Sequence, residues 1–85
     1  MDKREKVNRG QNAARVLDEP VIKAALADMH DMYINDWKTS KVDDVVKRER
    51  AYAQLCVLND FIAALQSYVD TGKIVGKQLE RDQRL

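Results

Sequence analysis

Three observations predict an all-α fold for this 85-residue chain. One long apolar seam at helical spacing runs from Val42 to Thr71. A second stripe of the same period runs from Pro20 to about Trp37. Only Lys38-Thr39-Ser40-Lys41 separates the two. In the first stretch Ala51, Leu55, Leu58, Ile62, Leu65 and Val69 recur in a 4-3-4-3-4 rhythm, which keeps one side of a helix apolar over several turns. Phe61 and Tyr68 widen the seam on one flank, Tyr52 and Cys56 on the other, and no Pro or Gly interrupts before Gly72. The expected helix is about 30 residues, or ~45 Å, long. Two helices joined by so short a connection make an antiparallel hairpin. A short helix before this hairpin and a short helical piece after it complete the expected architecture.

Taken in order, residues 1–8 read as a flexible basic arm, because Lys3, Arg4 and Lys6 face only Asp2 and Glu5 and almost nothing apolar accompanies them. Residues 9–80 read as one helical domain and 81–85 as a frayed tail. Asn8 to Asp18 forms a short helix with Ala13, Ala14, Val16 and Leu17 as its apolar face and Asn8 as its cap. It is too short to stand alone and needs a docking surface. Asp18-Glu19-Pro20 breaks the chain and restarts it, since proline suits the first helical turn. In the next helix Ile22, Leu26, Met29, Tyr33 and Trp37 form the stripe, broadened by Ala25, Met32 and Ile34. Ser40 followed by Asp43 resembles a capping box at the start of the long helix, with Asp43 and Asp44 favourable in its first turn. Thr71-Gly72 predicts its end, because glycine readily adopts the left-handed cap conformation. Ile74-Val75-Gly76 is then expected to pack back, and Lys77 to Leu85 to add a turn or two anchored by Leu79.

Charged residues are 34% of the chain and sum to +1. That balance disfavours a dedicated nucleic-acid coat or membrane-surface binder. One cysteine excludes an internal disulfide. No apolar run is long enough to span a bilayer, and Met1-Asp-Lys-Arg-Glu-Lys lacks the apolar core of a signal peptide. The expectation is a single intracellular domain whose modest core is completed by association with itself or a partner.

Catalytic and metal chemistry find no footing. Asp28 and Asp31 share a helix face, but His30 points away from both, and paired histidines at i, i+4 are missing. Cys56 has no His within helical reach and reads as a small core residue. Thr71-Gly72-Lys73 and Gly76-Lys77 lack the spacing of a phosphate loop. No enzyme, cofactor, metal or small-molecule substrate is therefore expected. A basic group made by Arg4, Lys6, Arg9, Lys47, Arg48 and Arg50 would suit nucleic-acid phosphates. Asp43, Asp44 and Glu49 interleave with it, and i, i+4 pairs Asp43–Lys47 and Asp44–Arg48 favour a self-paired, solvated face instead. Candidate interaction residues are Tyr33 and Trp37, aromatic anchors beside the hairpin turn, together with Leu55, Leu58, Ile62 and Leu65 on the seam.

The ordered residues Arg9-Gly10-x-x-Ala13-x-x-Val16-Leu17-x-x-Pro20, Trp37-x-Thr39, Arg48-Glu49, Thr71-Gly72-Lys73 and Gln78-Leu79 resemble a family of small uncharacterised proteins of tailed bacteriophages, over about residues 9 to 80. Genes of that family tend to lie among those for packaging or virion assembly. The resemblance implies a phage origin, a place in the host cytoplasm or the virion, and no activity or site residue. Three functions follow as expectations: a non-enzymatic phage protein working by protein–protein contact in virion assembly or DNA packaging; a small DNA-contacting accessory such as a terminase-like recognition subunit; and an inhibitor of a host enzyme or defence complex. The first is favoured, because the seam is long for a chain of this size.

Overall fold

The computed structural model describes residues 1–84, which form three α-helices and no strand: α1 (Lys3–Asp18), α2 (Pro20–Lys38) and α3 (Val45–Gln83). The all-α expectation holds. The chain divides into two units, Met1–Glu19 with Ala63–Leu85, and Pro20–Ile62. The first part of α3 belongs to the second of these and the remainder to the first.

In the unit Pro20–Ile62, α2 and the first half of α3 form the expected hairpin. Pro20 occupies the first position of α2, where its missing N–H leaves no bond unmade. The helix closes with the Thr39 N–H on the Asn35 carbonyl at 2.9 Å and the Ser40 N–H on the Trp37 carbonyl at 3.3 Å. Ser40 differs from its expected role. Its hydroxyl donates back to the Trp37 carbonyl at 2.6 Å, so it ends α2 instead of opening α3. The cap of α3 is Asp44, whose carboxylate accepts from the Lys47 N–H at 3.1 Å. Accordingly α3 begins at Val45 and not at Val42. Arg48 reaches back over this turn, its Nη1 donating to the Lys41 carbonyl at 2.5 Å and the Val42 carbonyl at 2.7 Å. On the hairpin's inner side Ala51 and Leu58 are 2% and 5% exposed, while Leu55, Ile62, Ile22, Leu26, Tyr33 and Ile34 are half-buried.

In the other unit α1 lies antiparallel to the far half of α3. Lys3 Nζ approaches Asp82 Oδ2 at 3.7 Å, and Gly10 lies against Tyr68 and Gly72. Two expectations change here. The stretch read as an arm is helical from Lys3 onward, capped by the Asp2 carboxylate, which accepts from the Glu5 N–H at 2.8 Å. A charged segment with no apolar face of its own is thus carried into the helix by a good N-cap. In addition, α3 runs through Gly72 and Gly76 to Gln83, absorbing the expected separate C-terminal piece, and no glycine among the described residues has a positive φ. Gly72 does not stop the helix because it serves contact. A Cβ added there would sit 3.0 Å from the Gly10 Cα, and one added to Gly10 would sit 2.7 Å from the Tyr68 carbonyl oxygen. Only two glycines allow so near an approach of backbones. The inward face of α1 consists of Gly10 and Ala13, both buried, with Leu17 half-buried; Ala14 and Val16 are exposed. Val69 and Val75 are buried on the α3 side, and Leu65 is half-buried.

Candidate interaction surface

The hairpin's helices supply the side chains from which a surface can be built. On one side, Leu26, Met29 and Tyr33 of α2 face Ala53, Gln54, Val57, Leu58 and Phe61 of α3 across a groove of about 450 Å3. None of these lining residues carries an ordinary charge. Leu58 forms its floor, whereas Val57 and Phe61 stand 67% and 54% exposed. The groove arises directly from periodicity. Leu58 belongs to the 4-3 seam turned toward α2, and Val57 and Phe61 each lie one residue before a seam position, Leu58 and Ile62, on its outer flank. A smaller recess nearer the turn, of about 220 Å3, is lined by Tyr33, Ile34 and Trp37 with Ala51, Tyr52 and Leu55.

The six expected interaction residues thus divide. Trp37 is 52% exposed and lines the smaller recess, while half-buried Tyr33 borders both it and the groove, as anchoring aromatics would. Leu58 is engaged in the hairpin's own core, and Leu55 is half-buried at the hairpin's recess. Ile62 ends the hairpin unit and Leu65 belongs to the other, both half-buried. Accessible apolar residues at the groove and its neighbouring recess that periodicity assigned only to widening the seam, or left aside, include Tyr52, Val57 and Phe61, while Met29 of the α2 stripe is itself 37% exposed. Phe61 and Tyr52 were visible as flanks in the sequence. Val57 was concealed because it follows Cys56 and precedes Leu58 in an unbroken apolar run that gives no direction.

The basic candidates also divide. Arg4, Lys6 and Arg9 fall in the unit that contains α1, and Lys47, Arg48 and Arg50 in the hairpin unit. Arg48 is committed to the turn carbonyls. The Arg9 guanidinium lies 4.1 Å from the centroid of the Tyr68 ring, a cation–π contact, and its Nε is buried with no hydrogen-bond partner. The Asp44 carboxylate caps the helix, and the expected Asp44–Arg48 side-chain pair gives way to the Arg48 bonds with the turn carbonyls. A different basic stripe emerges on the far end of α3. Lys73, Lys77, Arg81 and Arg84 are all exposed, at 4-4-3 spacing that places them on one face. Lys77, Arg81 and Arg84, with Ile74 and Glu80, line a shallow recess of about 410 Å3. The sequence conceals this stripe, because a helix end at Gly72 would divide it from the long helix.

The other titratable groups are quickly placed. His30 Nδ1 lies 3.5 Å from Asp31 Oδ1, both exposed. No group of three or more His, Cys, Asp or Glu that could hold a metal occurs among the described residues, and no helix among them is long and apolar enough to cross a membrane. The Tyr52 phenol is raised above its usual value, first by a hydrogen bond with Cys56 one turn on and then by the thiolate's charge. Comparison with protein-family models, with characterised proteins and with solved structures finds no match to this chain.

Proposed function

We propose that this protein is non-enzymatic and works by protein–protein contact, with the hairpin groove as its docking surface, in virion assembly or DNA packaging of a tailed phage. The observation that carries the contact reading is the groove itself: a wholly uncharged lining with Val57 and Phe61 largely in solvent. Exposed aromatic and aliphatic side chains gathered at one concave place are what a partner's apolar side chains bury well. The phage setting rests on the ordered resemblance from Arg9-Gly10 to Gln78-Leu79.

The test is recovery of binding partners from infected cells with the tagged chain, with and without nuclease. Capsid, portal or terminase proteins, recovered regardless of nuclease and lost with Val57→Asp while helix content by circular dichroism is unchanged, are the expected result. Recovery of a host enzyme instead would shift the role to inhibition, and equal recovery by wild type and Val57→Asp would remove the groove from the reading.

A second reading is favoured by the exposed stripe Lys73, Lys77, Arg81 and Arg84. As a DNA-contacting packaging accessory, the protein would meet backbone phosphates along this face. Binding to duplex DNA that weakens steeply with salt, with a shallower slope when two of the four are changed to Gln, is the signature required.

A further inference from the structure

Opposite charges flank the groove's α3 wall: Arg50 lies one turn before Ala53 and Asp60 lies beside Phe61, both outside the lining itself. Counting from Val46, the exposed positions Arg50, Ala53, Val57 and Asp60 follow at 4-3-4-3 spacing, with Phe61 beside them. They therefore share one face of α3. Neither the Arg50 nor the Asp60 side chain makes a hydrogen bond or ion pair among the described residues, and Arg50 shares a recess with Asp36 and Asp44. Two copies of this face placed antiparallel about a two-fold axis at the level of residue 55 bring each Arg50 opposite Asp60 of the other copy. The same register sets each Val57 against the small Ala53 of the other. An isologous interface requires this reciprocity, with i meeting j and j meeting i. Opposed like charges would have disfavoured the pairing, whereas here the two ends attract and the centre is apolar.

We propose that a second copy of this chain covers the outer edge of the groove's α3 wall, its α3 lying antiparallel on the first with Arg50–Asp60 pairs at each end of a Val57–Ala53 centre. This rests on the docking reading, in which Val57 is already a contact residue, and adds self-association along the groove's outer edge. Small-against-large apolar contacts at the centre allow the helices to approach closely, and the flanking charges fix direction and register. A parallel pair in register would set Arg50 beside Arg50 and Asp60 beside Asp60, which selects the antiparallel arrangement.

The full chain is to be examined by sedimentation equilibrium, with helix content checked by circular dichroism. Twice the 9.8 kDa chain mass is expected for the wild type. Arg50→Asp and Asp60→Arg, each turning two attractions into two repulsions, should weaken the dimer about tenfold or more. The double variant Arg50→Asp/Asp60→Arg should return to within about threefold of wild type. Both sites are exposed, so folding is not at stake. A monomer up to about 1 mM, or a dimer indifferent to both reversals, overturns the proposal. Loss of recovered phage proteins on Val57→Asp from a strictly monomeric chain would overturn only the second-copy occupant and leave the docking reading intact. A charge-dependent wild-type dimer, with the same proteins recovered by wild type and Val57→Asp, would overturn the docking reading and leave the second copy standing.

Discussion

Gly10 and Gly72 bring α1 and α3 together backbone to backbone. A Cβ on Gly10 would lie 2.9 Å from the Gly72 Cα and 2.7 Å from the Tyr68 carbonyl oxygen, and one on Gly72 would lie 3.0 Å from the Gly10 Cα. These neighbours are main-chain atoms, which cannot turn aside as a flexible side chain does. Gly76, one turn further along the same helix, has nothing within 4 Å of its added Cβ.

Alanine at the three positions is therefore expected to act in opposite directions. Gly10→Ala forces the helices apart and should cost about 1–3 kcal/mol, with Gly72→Ala in the same direction. Gly76→Ala should add roughly 0.5–1 kcal/mol, because it gains helix propensity without a clash. Urea denaturation at equal protein concentration measures all three. A destabilised Gly76→Ala, or a neutral Gly10→Ala, would contradict the packing described.

The start of α3 offers a second test. Asp44→Ala removes the acceptor of the Lys47 N–H and should cost about 1 kcal/mol. Asp43→Ala, exposed and outside that bond, should stay within about 0.5 kcal/mol of wild type. The same denaturation series decides between them, and equal losses at both positions would mean that Asp44 is not the cap.

Arg9 and Tyr68 form a third. With the guanidinium 4.1 Å from the ring centroid, a double-mutant cycle of Arg9→Gln and Tyr68→Leu should show coupling of about 0.5–2 kcal/mol. Additive losses would assign the two residues separate packing roles.

Tyr52 supplies a pH dependence. Its folded value stands above the ordinary 10.0, first through its hydrogen bond with Cys56 and then through the thiolate's charge. A raised folded value means that the associated stability is complete below the unfolded pKa and is lost as pH rises through the folded one. Cys56→Ala should bring the Tyr52 titration back to the ordinary range, followed by NMR of its ring carbons. An unmoved midpoint would show that Cys56 is not the cause.

The hairpin was legible because its signals are periodic and uninterrupted. Ala51, Leu55, Leu58 and Ile62 announce the face turned to α2, and Pro20 announces where α2 starts. The limits of the helices were less legible for definite reasons. Asp2 caps a helical segment whose single apolar residue before Asn8 is Val7, and one position makes no period to reveal α1 there. Gly72 was ambiguous, since the same residue serves a helix end and a close helix contact, and only its opposite number on α1 distinguishes the two. Continuing the 4-3 count past Val69 to Gly72, Gly76 and Leu79 would have kept α3 whole and brought Lys73, Lys77, Arg81 and Arg84 onto one face. The accessible side of the groove was hidden for a related reason: in Cys56-Val57-Leu58 every neighbour is apolar, and exposure cannot be told from hydrophobicity alone.

The meeting of Gly10 with Gly72 also sets an order of events during synthesis. These residues are about sixty positions apart, whereas α2 and the first half of α3 close on one another through a short turn, and contacts near in sequence form sooner. As the chain emerges from the ribosome, the hairpin has all its parts once Ile62 is out. At that moment α1 still has no surface to receive Gly10 and Ala13. Translation stalled between these two points would leave a finished hairpin beside an unclaimed first helix. A message truncated there should therefore yield a product whose N-terminal segment is cut by proteases while residues 20–62 survive.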